Sequence, residues 1–233
     1  MSDLGADPPS SKALLRFIKK HRVLAVPAGW VSRAVASSSE SSPVRVVLGP
    51  LRDRLRGAMK GDDVLGVLEA LAANDVSFHV AGGWGVDALL GRQTRSHHDL
   101  DVVIDEYDRD LSRALDALAQ QGYRLLSTYE RHAWMPRRAV CEGPRGHRVE
   151  LVSLNWDVLS NTLDDEAGEP LAPESLPARV FTTGTVGGRQ VPCLSATVQL
   201  LFHTRFELPP SLAHDVRLLH KELGASLPGT GAT

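Results

Sequence analysis

Between residues 76 and 104 the hydrophobic period changes twice within thirty residues, from strand to helix and back, and few folds accommodate that. Val76 to Ala81 reads as a short apolar strand that runs directly into Gly82-Gly83. Trp84 to Leu90 then reads as a helix whose N-terminus sits on the glycine turn, and a basic loop leads to His98-Asp99-Leu100-Asp101-Val102-Val103-Ile104. Leu100 to Ile104 has the Val/Ile content of a buried strand. Residues two apart on a strand point to one face, so Asp99, Asp101 and Val103 line up together. A Gly-Gly pair alone is an ordinary turn, and an Asp-x-Asp alone is ordinary solvated surface. Here the second Asp precedes Val102-Val103-Ile104, which puts the carboxylates at the lip of a core strand.

The rest of the chain supports an α+β reading. Val64, Leu65, Val67, Leu68 and Leu71 form a helical stripe that Asp62 or Asp63 can cap. Asp110 to Gln121 is a second amphipathic helix, with Leu111, Leu115 and Leu118 inward and Gly122 as its stop. Short strands are predicted at Tyr123 to Ser127, His132 to Met135, Arg138 to Cys141 and His147 to Leu154, followed by a polar loop over 161–173. Phe181 to Thr185 and Arg189 to Leu194 flank Val186-Gly187-Gly188 as a hairpin. Ser195 caps a helix over Ala196 to Phe206, and Pro209-Pro210 separates it from a last helix over Ser211 to Leu223. Helix and strand alternate early, strands then dominate, and helices close the chain: a mixed β-sheet flanked by helices, plus a C-terminal helical segment. Residues 1–60 read as an N-terminal extension, residues 61–195 as the core and residues 196–233 as the closing helices packed on it. Within the extension, Ser11 to His21 is a basic helix, Ser37 to Pro43 a flexible linker and Leu51 to Met59 a further helix.

Composition excludes several classes. With 233 residues the chain has room for a sizeable core. Its longest apolar runs fall well short of the roughly 18 residues a membrane span needs. The polar, acidic start does not read as a signal peptide, so the expected compartment is the cytoplasm, without a membrane partner. A net charge of −2 argues against a polynucleotide partner, whose binding depends on clustered Lys and Arg. Cys141 and Cys193 show no metal spacing and read as small buried hydrophobes.

Two carboxylates on one face raise each other's pKa unless cations neutralise them. Two magnesium ions meet that need, and such pairs also clamp the attacking and leaving oxygens of a phosphoryl displacement. Gly82 and Gly83 let the backbone approach phosphate closely, next to the positive end of the following helix. Arg92 and Arg95, in the loop before the aspartates, have the forked donors that engage phosphate oxygens. A third carboxylate is expected from a neighbouring strand. Glu150 is the only charged residue inside the apolar strand Val149-Glu150-Leu151-Val152. A general base, a third metal ligand, or an ion pair with Arg138 or Arg148 would each account for it.

The run Ala81-Gly82-Gly83-Trp84-Gly85-Val86-Asp87-Ala88-Leu89-Leu90-Gly91-Arg92-Gln93-Thr94-Arg95, with His98-Asp99-Leu100-Asp101, resembles the antibiotic nucleotidyltransferases of the DNA polymerase beta-like superfamily, the lincosamide and aminoglycoside 2''-enzymes above all. The resemblance extends through Arg148-Val149-Glu150-Leu151, Val191 to Ser195, Gln199, His203-Thr204 and His214-Asp215, from about Asp62 to Leu219. It implies the nucleotidyltransferase fold and transfer of a nucleoside monophosphate, usually AMP from ATP, to a hydroxyl of a small molecule, with release of pyrophosphate. In that scheme Asp99 and Asp101 hold Mg2+, and Glu150 is a metal ligand or takes the acceptor's proton. Gly82 and Gly83 bind the triphosphate with help from Arg92 and Arg95. Trp84 and Asp87 are structural, and Asp87 orients Arg92 or Arg95. Acceptor pockets in such folds draw on variable loops and on a partner subunit, which leaves room for a homodimer. The chain departs from the pattern where many relatives have Asp in place of Glu150, and where His203-Thr204-Arg205-Phe206 replaces His-Thr-Gly-Tyr. Two alternatives stay open at this level: the same fold acting on a protein or a transfer RNA, and a non-catalytic nucleotide-binding module.

Overall fold

A computed structural model of the chain describes residues 58–130, 135–163, 175–204 and 210–226. The expected helix at 11–21, the linker at 37–43, most of the helix at 51–59, nearly all of the strand at 132–135, most of the loop at 161–173, and Arg205 lie outside the described residues. Met59, expected to end a helix, instead forms an isolated antiparallel bridge with His97, its N–H donating to the His97 carbonyl at 2.7 Å.

Helix α1 (Gly61–Ala73) buries Val64, Val67, Leu68 and Leu71, the stripe its sequence spells. It begins earlier than a cap at Asp62 or Asp63 would allow. Asp63 works from inside the first turn, accepting the Lys60 N–H at 2.9 Å. Strand β1 (Phe78–Ala81) passes directly into α2 (Gly82–Leu90), which ends at Gly91 in the left-handed region. There follow β2 (Asp99–Ile104), α3 (Tyr107–Gln120), β3 (Arg124–Glu130), β4 (Arg137–Glu142), β5 (Arg148–Val152) and α4 (Trp156–Ser160). The chain closes with α5 (Leu176–Val180), the hairpin β6 (Phe181–Val186) and β7 (Arg189–Leu194), then α6 (Ala196–Thr204) and α7 (Pro210–Leu223).

Among the described residues one seven-stranded sheet has the order β3-β4-β5-β2-β1-β7-β6. It is mixed: β2 runs parallel to β5 and β1 parallel to β7, while the other neighbours are antiparallel. Strand alternation divides the core in two. Leu100, Val102, Ile104, Val149 and Leu151 pack with the apolar stripes of α1 and α3. Ala81, Val103, Val152 and Leu194 face the other way, under Leu159 of α4, Val180 of α5, and Val198, Leu201 and Phe202 of α6. Each such fully buried side chain contributes about 1.5–3 kcal/mol, so both layers are needed to hold the sheet. A third cluster of Val86, Leu200, Leu219 and Ala225 binds α6 and α7 to α2. Asp99 and Asp101 share the face of Val103, so they lie on the α6 side of the sheet. No described helix is long and apolar enough to cross a membrane.

Candidate active site

Strand register gathers the carboxylates. Antiparallel pairing sets Ala81 opposite Asp101, and parallel pairing sets Asp101 opposite Glu150. Val103 and Val152 are the next such pair along the strands, already inside the apolar layer. The sheet thus carries two acidic side chains side by side at the edge of its core, with Asp99 one pleat further out and exposed. Gly82 follows Ala81 immediately and has φ +62°, and a Cβ built there would collide with the Asp101 carboxylate. Glycine is required at this position twice over, by conformation and by space.

Arg138 of β4 closes the group. Its Nη1 lies 2.5 Å from Glu150 Oε2 and 4.0 Å from Asp101 Oδ1, and it is hydrogen-bonded to Tyr129 as well. Of the two arginines considered as partners for Glu150, Arg138 makes the contact, reaching it diagonally across β4 and β5 from its place opposite Val152. Burial, then the Glu150 carboxylate, push the Asp101 carboxyl up to about 7; Asp99 adds to this, while Arg138 and His203 offset part of it. One guanidinium therefore does not neutralise the cluster. The donors are all carboxylate oxygens, the set a hard divalent cation prefers, so Asp99, Asp101 and Glu150 fit magnesium by chemistry. Among the described residues no three His, Cys, Asp or Glu side chains converge at ligand distance.

The glycine turn is crowded on its other side. A Cβ on Gly83 would lie 2.5 Å from both Arg95 Nη2 and His97 Nδ1, so these side chains rest on the backbone there. Arg95 is held by Asp215 of α7, with Nε to Oδ1 at 2.9 Å and Nη2 to Oδ2 at 2.6 Å. Arg92, by contrast, is half exposed and donates to both carboxylate oxygens of Glu222 at 2.8 Å. Of the two loop arginines, Arg95 is thus the one against the turn. The expectation that Asp87 orients one of them is corrected. Asp87 accepts the Thr94 N–H at 3.0 Å and its hydroxyl at 2.6 Å, and it lies 2.5 Å from His97 Nε2. Buried Asp87 holds the loop by its short residues, and His97, tilted against Trp84, fills the space behind the turn. The His98 carbonyl accepts the Arg148 N–H at 3.1 Å, tying the start of β2 to β5.

Two further participants entered the sequence reading only as part of the resemblance, with no role attached. Asp215 is 1% exposed and carries the charge that Arg95 meets, yet as one Asp on a helix far along the chain it has no local signature. His203 lies 3.5 Å from Asp215 through Nε2 and donates from Nδ1 to the Gln199 carbonyl at 2.7 Å. Burial pushes the thiols of Cys141 and Cys193 up to about 11 and about 12, which leaves them inert.

The profile of the aminoglycoside-2''-adenylyltransferase family matches residues 63–219. A lincosamide resistance protein of Staphylococcus haemolyticus is 28% identical over 155 residues, covering 66% of this chain and 89% of that protein. The crystal structure of a lincosamide antibiotic adenylyltransferase with lincomycin bound is 24% identical, with a TM-score of 0.53, covering 71% of this chain and 99% of that one. The mixed sheet and its helices therefore have the nucleotidyltransferase fold.

Proposed function

The chain belongs to the aminoglycoside-2''-adenylyltransferase family, and from that premise we propose that it transfers AMP from ATP to a hydroxyl of an antibiotic, a lincosamide or an aminoglycoside. The observation that carries the reading is the register Ala81–Asp101–Glu150 across three neighbouring strands, with Gly82 against the Asp101 carboxylate. Family membership alone would not supply a site, because one fold hosts many chemistries.

In the proposed reaction the acceptor hydroxyl attacks the α-phosphorus of ATP. A phosphorus–oxygen bond forms, the bond to the bridging oxygen breaks, and pyrophosphate departs with that electron pair. Glu150 takes the hydroxyl proton or serves as a metal ligand. Its 2.5 Å contact with Arg138 fixes the direction of the carboxylate for either role. Asp99, Asp101 and Glu150 would hold magnesium, which when bound neutralises the triphosphate and clamps the entering and leaving oxygens. Gly82 and Gly83 offer backbone close to the phosphates at the first turn of α2. Arg95, against Gly83, presents a guanidinium to the same anion, while Arg92 stands at the surface with Glu222. Positioning and electrostatics supply the catalysis, without a covalent intermediate.

The test is pyrophosphate release from ATP and Mg2+ across lincosamides, aminoglycosides and simple sugars, with Asp101→Ala as control. Release with one antibiotic class, reduced roughly a hundred- to a thousandfold in the variant, is expected, since Asp101 would hold the cation that stabilises the transition state electrostatically, and losing one such interaction costs roughly 10²–10³. Turnover retained by Asp101→Ala would refute the assignment of the site. Release only with protein or RNA acceptors would refute the acceptor class.

A further inference from the structure

A surface-loop arginine ordinarily samples many rotamers, and holding one costs side-chain entropy. Arg95 is nevertheless fastened on two atoms. Its Nε and Nη2 meet Oδ1 and Oδ2 of Asp215 at 2.9 and 2.6 Å, the bidentate geometry that gives direction as well as strength. The carboxylate comes from α7, 120 residues further along the chain, and is 1% exposed, whereas the Arg95 side chain is 24% exposed. Behind Asp215 stands His203 of α6 at 3.5 Å, itself fixed to the Gln199 carbonyl. The atom that Asp215 grips, Nη2, is also the atom lying against Gly83. Asp99 acts on this guanidinium as well, so its field reaches the carboxylate cluster. A buried ion pair is weak support for a purely stabilising role, because an apolar pair of similar volume often serves as well. A buried carboxylate gripping a partly exposed cation beside a glycine turn is better suited to aiming that cation.

We propose that Asp215 is a positioning residue for nucleotide binding: from α7 it holds the Arg95 guanidinium against Gly83, so that the remaining N–H groups of Arg95 meet the polyphosphate of ATP. The inference rests on the nucleotidyl-transfer reading of the site. It also gives the C-terminal helices a part in binding the nucleotide.

The full-length chain, Asp215→Asn, Arg95→Ala and the double variant are compared in two arms. Calorimetry measures binding of α,β-methylene-ATP with Mg2+, and of adenosine alone. Kinetics measures KM for ATP, kcat, and inhibition by inorganic pyrophosphate. Asp215→Asn is expected to weaken α,β-methylene-ATP and pyrophosphate in parallel, on the order of tenfold, and to leave adenosine unchanged. Its KM for ATP rises more than its kcat falls, and the double variant is no weaker than Arg95→Ala. A merely structural pin would lower kcat or the folded fraction with KM and both dissociation constants unmoved, and that result would overturn the proposal. Additive losses in the double variant would overturn it too. Should Asp215→Asn fail to fold, Arg95→Lys keeps a charge for Asp215 but loses the fork. The same parallel weakening is then expected, and wild-type affinities would overturn the proposal. If the wild type binds α,β-methylene-ATP but releases no pyrophosphate with any acceptor, the transfer reading fails, and the binding arm still decides on Asp215.

Discussion

At the scale of single residues the site depends on a hydrogen in place of a methyl group. Gly82 sits at φ +62° with the Asp101 carboxylate where its Cβ would be. An L side chain in the left-handed region costs about 1–2 kcal/mol by itself, and the collision adds to that because Asp101 is hemmed in by Glu150 and Arg138. Gly82→Ala should lower the free energy of unfolding by about 2–3 kcal/mol and turnover by more than tenfold. Urea unfolding and pyrophosphate release read the two effects, and an unaltered variant would mean the turn relaxes freely. Gly82, Asp99 and Asp101 were legible because their meaning is local: a glycine between strand and helix, and carboxylates two apart on an apolar strand. Glu150 was legible as the lone charge in Val149-Glu150-Leu151-Val152. The choice of Arg138 over Arg148 as its partner was not. That follows from which strand lies on which side of β5 and in what register, which no spacing along one strand encodes.

At the scale of elements, α7 is joined to the loop before β2 by a buried ion pair whose strength depends on pH. Burial pushes the Asp215 carboxyl up, but the hydrogen bonds and charges of Arg95 and His203 outweigh it and bring it down to about 2. A carboxyl lowered on folding contributes stability that is complete above its unfolded value near 3.8 and is lost as pH falls through the folded value. The contribution is about 2 kcal/mol, and it disappears between roughly pH 4 and pH 2. Denaturant unfolding from pH 7 to pH 2 should show Asp215→Asn less stable at neutral pH by about 3–5 kcal/mol, the usual effect of breaking a buried pair from one side. The gap to wild type should narrow by about 2 kcal/mol at the acid end. A gap independent of pH would mean that folding leaves the proton affinity of the Asp215 carboxyl unchanged, so that Arg95 does not hold it down. The helices and strands themselves were mostly readable, with boundary shifts of a few residues. Asp110 to Gln121 starts instead at Tyr107, and Tyr123 to Ser127 extends to Glu130. Met59 changes type because its backbone pairs with His97, a residue 38 positions away.

At the scale of the molecule, two apolar layers clasp one mixed sheet, and the acidic site opens at the strand ends on one face of it. A nucleotide and magnesium bound there would touch β2, β5, the α2 turn and, through Arg95, α7, so binding should stabilise the molecule as a unit. At a hundred times its dissociation constant a ligand adds about 2.7 kcal/mol, a Tm rise of about 5–10 °C for a chain of this size. Thermal unfolding with α,β-methylene-ATP and Mg2+ should show that rise, a smaller one with a chelator present, and no magnesium-dependent part in Asp101→Ala. A rise unaffected by chelator would remove magnesium from the site. Short-range physics made the elements, the glycine turn and the acidic residues available from sequence alone, because helical stripes, strand alternation and turn chemistry each act within a few residues. Only the tertiary structure decided that Arg138 faces Glu150, that Arg95 rather than Arg92 lies on the turn, and that Asp215 holds it there. Those pairings are set by register and by helix packing, over 12 residues for Arg138 and Glu150 and over 120 for Arg95 and Asp215, where charge and reach leave several partners equivalent until the backbone brings one of them within hydrogen-bond distance.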